Sequence, residues 1–353
     1  MDMLTELVDH VIGIDPDRDR ITAAVIDSKT TGVLAHSEFR ADPAGYRALI
    51  EWADEHSDAE GRVWSIEGVG SYGAGAAEAL GDAGEWVLEF DRPATRAAKD
   101  GAKSDYLDAV RAAREVLGRE KLAQPRSRGT REAMRVLLVA RHGAQRSRVA
   151  AINQLKALLV TAPGELREEL RHLSRGRLIK RCAGFRPSGS DEVAVTKTAM
   201  RAIARRIQAL QSEIDIVDAD LGRLVAAVAP QLLDEFGIGP VCAAQTYVSW
   251  SHRGRCRNEA AFARLAGVAP LEATSGQTQD RHRLNRGGDR ALNHALNTVI
   301  VVRLRHDPDT RAYIERSIAR GKTKREAVRC LKRYLARRLY RLLENPPEGV
   351  DDL

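Results

Sequence analysis

Val11-Ile12-Gly13-Ile14-Asp15 is a short apolar run that ends on an acid, and the pattern following it decides the fold. Residues 21–27 read as a second strand. A turn at Thr31-Gly32 leads to a third, residues 33–39, which together suggest an antiparallel meander. Asp42 and Pro43 have the chemistry of an N-cap and first turn, for a helix through about Ala53. Residues 63–67 form another buried-looking strand, again closing on an acid, Glu67. Residues 73–80 read as helix and 86–90 as a fifth strand.

Three meander strands, then helix, strand, helix and strand, is the order of a ribonuclease-H-like α/β core. Lys103-Ser104-Asp105-Tyr106-Leu107-Asp108-Ala109 extends that reading. A helix starting near Ser104 returns Asp105 and Asp108 to the sheet, and their i,i+3 spacing places both on one face. Taken alone, the pair could simply cap or solubilise a helix. With Asp15 and Glu67 at strand ends it points to a site for divalent metal and phosphate. Two-metal phosphoryl chemistry needs carboxylates converging on ions about 3.5–4 Å apart, and Mg²⁺ takes hard oxygen ligands.

Beyond residue 130 the character changes to nearly all helix. Residues 131–160 are long and Arg-rich, with Gly143 inside, and Pro163-Gly164 breaks them. Met200, Ile203, Ile207, Leu210, Ile214, Val217, Leu221, Leu224 and Val228 then step by three and four, a heptad seam. So narrow a stripe needs a helical partner, either residues 131–160 or a second copy of the chain. Phe236-Gly237-Ile238-Gly239-Pro240 reads as a tight turn between helices, or as a hairpin whose N–H groups approach a DNA phosphate. Residues 274–288 are polar and turn-rich, and helices resume from 289 to about 344. The expected fold class is α/β plus all-α, in four parts: an α/β domain over 1–128, a helical coiled-coil region over 129–230, a mostly helical domain over 231–345, and a tail over 346–353.

The chain of 353 residues carries a formal net charge of +7, which fits a polyanionic partner. Its distribution says more. Residues 171–186 hold Arg175, Arg177, Lys180 and Arg181 without any acid. A second group, Arg281, Arg283, Arg286 and Arg290, surrounds a glycine-rich turn, and a third runs from Arg320 to Arg341. Each group alone could be a solvated face; several beside an acidic cluster favour phosphate contact. Aromatics are 5% of the chain, too few for wide base-stacking surfaces. Cys182, Cys242, Cys256 and Cys330 form no Cys-x-x-Cys pair and read as packing residues. With no membrane-length apolar run, a reduced cytoplasmic setting fits.

The motifs Ile12-Gly13-Ile14-Asp15, Ile66-Glu67-Gly68 and Lys103-Ser104-Asp105-x-x-Asp108-Ala109 resemble the DEDD insertion-sequence transposases of the IS-one-ten group. Phe236-Gly237-Ile238-Gly239-Pro240, Leu265-Ala266-Gly267-Val268-Ala269-Pro270, Thr274-Ser275-Gly276 and Gly287-Gly288-Asp289-Arg290-Ala291-Leu292 continue the likeness over nearly the whole chain. The resemblance implies a RuvC-like N-terminal domain followed by a C-terminal transposase domain. It implies a recombinase that excises and inserts its own element, guided by a structured bridge RNA that pairs with donor and target DNA. Asp15, Glu67, Asp105 and Asp108 would then bind Mg²⁺. Ser275 would attack a DNA phosphate and leave a covalent 5′-phosphoserine, in a dimer or tetramer. From the residues alone, Ser275 is a Ser-Gly in a polar loop with no obvious base nearby. Arg281, Arg283 and Arg290 are candidates for phosphate contact, equally well read as helix solvation.

Three other classes compete. An actin-like ATPase or sugar kinase shares a Gly-x-Asp strand end, but a second Asp-x-Gly loop and an adenosine motif are missing. A junction resolvase or nuclease would use the carboxylates to activate water and leave Ser275 passive. A non-catalytic nucleic-acid-binding relative would keep the basic segments and have no use for four acids.

Overall fold

The computed structural model describes residues 4–90, 104–118, 124–272, 282–283 and 287–347. The chain divides into two compact units, Met1–Arg128 and Gly129–Leu353. The first begins with the single turn α1 (Leu4–Leu7). It continues through strands β1 (His10–Pro16), β2 (Arg20–Asp27) and β3 (Val33–Arg40), helix α2 (Pro43–His56), strand β4 (Arg62–Glu67), helix α3 (Ala74–Asp82), strand β5 (Val87–Phe90) and helix α4 (Asp105–Leu117). The sheet order is β3-β2-β1-β4-β5. The first three strands form the antiparallel meander, while β4 and β5 run parallel to β1.

Strand alternation sorts the core into two layers. Ile12, Ile14, Trp64 and Ile66 pack with Leu49 and Ala53 of α2 and with Ala76 and Leu80 of α3. Val11 and Val63, one residue out of phase, pack with Ala113, Val116 and Leu117 of α4. Thus α2 and α3 cover one face and α4 the other. Both faces are buried, so β1 and β4 read as continuous apolar runs rather than alternating ones. Asp42 accepts from the Gly45 amide at 2.9 Å, the N-cap its sequence suggests. Helix α2 runs to His56 and closes where Ser57 Oγ donates to the Ala53 carbonyl. On β4, Arg62 is almost fully buried and binds both Glu85 and Asp54, while Trp64 Nε1 donates to Glu85.

The second unit comprises α5 (Thr130–Thr161), α6 (Gly164–Leu170), α7 (Arg175–Ala183), α8 (Glu192–Val228), α9 (Pro240–Trp250) and α10 (Glu259–Leu265). A two-residue pairing of β6 (Leu271–Glu272) with β7 (His282–Arg283) precedes α11 (Arg290–His306), α12 (Pro308–Ala319) and α13 (Lys324–Glu344). Helix α5 is unbroken through Gly143. It packs antiparallel on α8 within the same chain, answering the choice of partner for the apolar stripe. Arg141 meets Asp218, and seven residues further along α5 Arg148 meets Gln211, seven residues back along α8. Met200, Ile207, Ile214, Val217, Leu221 and Val228 are buried, but Ile203, Leu210 and Leu224 are only half-buried. Ala204 and Val225 take inner places instead. A straight helix drifts about 20° per heptad against a 3.5-residue repeat, which moves the buried line off those positions.

The turn at 236–240 is sewn into the unit. Arg303 donates to the Phe236 carbonyl at 2.8 Å, Glu235 binds Arg303 and Arg338, and Gly237 sits at φ +80°. It is a tight interhelical turn held by α11 and α13. All four cysteines are free; Cys182 and Cys256 lie in cores, and burial pushes the Cys182 thiol up to about 11. Among the described residues no helix is long and apolar enough to cross a membrane.

Candidate active site

Asp15 and Glu67 are positioned by strand register. β1 and β4 pair in parallel through Gly13 with Ser65 and Ile14 with Ile66; the next residue on each strand is Asp15 and Glu67. Side chains alternate with a period of two, so both acids share the face of Gly13 and Ser65. That face is the one α4 covers. Ser65 Oγ donates to the Ala112 carbonyl at 2.7 Å, and both groups are buried. A Cβ on Gly13 would stand 2.0 Å from the Ala109 carbonyl oxygen and 2.6 Å from the Ala113 nitrogen. The helix backbone therefore rests directly on the strand backbone.

The direction of α4 follows from the same contacts. Val11 packs near Ala113, Val116 and Leu117, while Gly13 meets Ala109 and Ala113. Moving forward along β1 thus moves backward along α4, and Asp15 lies toward its first turn, which carries Asp105 and Asp108. Asp105 is exposed; Asp108 is half-buried and ion-paired with Arg111. Tyr106, between them, packs at a tilt against His36 of β3, 4.6 Å between ring centroids. Four oxygen-donor side chains at one end of one sheet face have the chemistry for a hard divalent cation. Their spacing here is open: among the described residues, no three carboxylate, His or Cys side chains gather closely enough to hold a metal ion. Asp108 spends its charge on Arg111, so cation binding requires it to exchange that partner.

Sequence reading passed over Gly13 and Ser65, the residues that aim the acids. A lone glycine inside an apolar strand marks a close backbone approach, and the run Ala109, Ala112, Ala113 supplies the small helix face it needs. Of the remaining predicted site residues, Ser275 and Arg281 lie outside the described residues, and Arg283 is described only as a β7 residue paired with Leu271. Arg290 is exposed at the start of α11. Arg175, Arg177 and Lys180 are exposed on α7, whereas Arg181 is ion-paired with Glu169 and lies over the Phe185 ring.

Residues 12–163 match a family model described as a transposase, the DEDD transposase model of the IS110 type. Residues 229–315 match the model for the transposase IS116/IS110/IS902 family. The chain is also similar to the insertion element IS110 uncharacterized 43.6 kDa protein of Streptomyces coelicolor, at 28% identity over 145 residues, or 40% of this chain and 36% of that protein. The chain belongs to the IS110 family of DEDD transposases. The first matched segment spans all four acids and both residues that aim them.

The second matched segment has its own built junction. Gly288, at φ +107°, lies so close to the 265–267 turn that a Cβ would stand 2.6 Å from the Leu265 carbonyl oxygen. The Asp289 amide donates to that carbonyl at 2.7 Å, and Asn293 Nδ2 donates to Ala266 O at 2.8 Å. Asp289 also caps α11, accepting from the Ala291 and Leu292 amides, and takes a hydrogen bond from Ser249 Oγ at 2.6 Å. The glycine-rich and Leu-Ala-Gly motifs thus form one joint, from which α11 starts in a fixed direction.

Proposed function

We propose that this transposase excises and inserts DNA by metal-dependent phosphoryl transfer, with Asp15, Glu67, Asp105 and Asp108 holding two Mg²⁺ ions. The strand order β3-β2-β1-β4-β5 supports reading residues 1–128 as a ribonuclease-H-like, RuvC-like catalytic domain. Residues 129–230 then form a coiled-coil connection and 231–345 the second transposase domain. The observation that carries the proposal is the shared direction of Asp15 and Glu67 toward the first turn of α4. Bound magnesium would stabilise the charge on the attacking and leaving oxygens of an in-line displacement.

In this reading Ser275 is the nucleophile. Its Oγ bonds to the phosphorus of a DNA phosphodiester, the bond from phosphorus to the 3′ oxygen breaks, and the 3′ hydroxyl leaves with a proton. The serine proton passes to a base, and the 5′ phosphate stays on the protein. Retaining the phosphoester conserves the bond energy needed to rejoin strands. Donor and target duplex DNA and a structured noncoding guide RNA are the partners this reading assigns, with a dimer or tetramer as the working form in the cytoplasm. The exposed Arg175, Arg177 and Lys180 of α7, with Arg281, Arg283 and Arg290, are assigned to phosphate contact, and Arg181 to a lesser share because Glu169 already neutralises it.

The test is cleavage of element-end DNA with Ser275→Ala. Loss of the covalent protein–DNA adduct with binding retained supports the serine mechanism. Adduct-free cleavage at the original rate would replace it with a water-using resolvase or nuclease. Asp15→Asn and Asp108→Asn should abolish magnesium-dependent turnover; full activity in both would reduce the chain to a non-catalytic nucleic-acid-binding relative or move the site elsewhere.

A further inference from the structure

The segment from Arg320 to Arg341 carries ten basic residues and one acid, Glu326. In sequence it looks uniform, and the structure divides it. In the second half of α13, Arg337 and Arg341 both bind Glu259, and Arg338 binds Glu235 at 2.6 Å. These three arginines fasten α13 to α10 and to the 235–240 turn. Their charge is spent on holding the unit together.

The first half is different. Among the described residues, Lys322, Lys324, Arg325, Arg329 and Lys332 have no carboxylate ion-pair partner. Glu326 is taken by the capping box: it accepts from the Thr323 amide at 2.7 Å and from the Thr323 hydroxyl, while Thr323 accepts from its amide. Those hydrogen bonds, with weaker help from Arg329 and Lys322, hold the Glu326 carboxyl below its ordinary range. Lys332 donates instead to Asn293 Oδ1 at 2.9 Å, on the α11 turn that leads from the Gly288 joint. Burial, with the Arg329 charge beside it, lowers the Lys332 ammonium from its ordinary value. Lys322 and Arg329 act on the one preoccupied acid, and Lys324 and Arg325 add further exposed charge beside them, a repulsive arrangement unless a polyanion completes it.

We propose that the α12–α13 turn and the first half of α13 form a docking surface for the phosphate backbone of duplex DNA; this rests on the DNA-handling role proposed above. Arg325 and Arg329 are one turn apart, about 6 Å along the helix, and each strand of duplex DNA presents a charge every ~3.4 Å of its axis, so the two arginines together lie within the span of a few phosphates. The surface is poorly made for single strands, which are gripped by stacking on open aromatic faces. Its exposed aromatic, Tyr334, is already engaged by the Arg333 guanidinium at 5.5 Å and edge-on by Tyr313 at 6.2 Å. The surface therefore reads backbone charge and leaves sequence to other parts of the molecule.

The experiment compares the full chain with the triple variant Lys324→Gln/Arg325→Gln/Arg329→Gln, all exposed side chains. Arg338→Gln serves as control. Binding to a short random-sequence DNA duplex, to the same duplex in RNA and to single-stranded DNA is followed by fluorescence anisotropy across a salt series. Each lost phosphate contact lowers the slope of log affinity against log salt by about 0.9. The triple variant should therefore lose about two to three units of slope on duplex DNA, and ~10- to 100-fold in affinity near physiological salt. Its thermal midpoint should stay at the wild-type value. Arg338→Gln should lower the midpoint and leave the slope alone. An unchanged slope in the triple variant, a loss confined to duplex RNA, or a larger loss on single-stranded DNA would each overturn the assignment. Wild-type protein without affinity for any DNA would overturn both this proposal and the function it rests on.

Discussion

Substituting Gly13→Ala tests the geometry on which the acidic site depends. The new Cβ would lie 2.0 Å from the Ala109 carbonyl oxygen, 2.6 Å from the Ala113 nitrogen and 2.9 Å from the Ala113 Cβ. Real Cβ contacts essentially never fall below 3.0 Å, so α4 must withdraw by about 1 Å or more. Two of the three opposing atoms belong to helix backbone, which cannot swing aside as a flexible side chain can. Overpacking a core usually costs ~1–3 kcal/mol, and a clash with backbone belongs at or above the top of that range. The same withdrawal pulls Asp105 and Asp108 away from Asp15 and Glu67. A misplacement of about 1 Å can cost on the order of 10²-fold in rate.

The assay pairs urea unfolding of the full chain with magnesium-dependent strand cleavage. Ser65→Ala provides the scale: it removes the hydrogen bond to the Ala112 carbonyl without adding bulk, and should cost about 1 kcal/mol. Gly13→Ala should be destabilised by at least ~3 kcal/mol, with activity lost even under conditions where it is folded. Stability within about 0.5 kcal/mol of wild type, the ordinary scatter of a surface change, would refute the docking of α4 on β1 described above.

Asp289→Ala removes the α11 cap and the partner of Ser249, and should cost roughly 2–3 kcal/mol in denaturant unfolding; Asp289→Asn, which can still cap, should cost less. Glu85→Ala leaves the buried Arg62 with Asp54 and the Ser57 carbonyl, and Trp64 Nε1 without its acceptor, for an expected loss of ~3–5 kcal/mol, again read from the unfolding midpoint. The Glu326 carboxyl is held below its ordinary value mainly by hydrogen bonds from Thr323. Its support of the α13 start is therefore present above the ordinary carboxylate range and lost as pH falls through the lowered folded value. Amide exchange at residues 324–327 should rise over that acid window in the wild type, and a Thr323→Ala chain should show little further change. Cys182, pushed up to about 11 by burial, should resist maleimide at neutral pH in the native chain and react once it is unfolded; equal rates in both states would contradict its place in the core.

Much of the first unit was legible because its signals are local. Apolar runs ending at Asp15 and Glu67, the Thr31-Gly32 turn and the Asp42-Pro43 cap each draw on neighbours a few residues away. Those elements appear with small changes at their ends, α2 reaching His56. The heptad stripe likewise announced a helical partner, though two partners fitted it equally. The long-range pairs Arg141 with Asp218 and Arg148 with Gln211, and the shared cluster of Met134 and Leu138 with Val217 and Leu221, distinguish α5 from a second molecule. The basic run from Arg320 to Arg341 was legible as charge and illegible as function. Whether an arginine is spent internally depends on Glu235 and Glu259, far away along the chain.

The sequence by itself determined the strands, their order of appearance, the acids at their ends and the family to which the chain belongs. Tertiary structure decided which way those acids point: a period-two strand offers two faces, and the seating of α4 against Gly13 and Ser65 says which of the two lies under α4. That choice is made by steric fit between backbones distant in sequence, and no local pattern of residues encodes it.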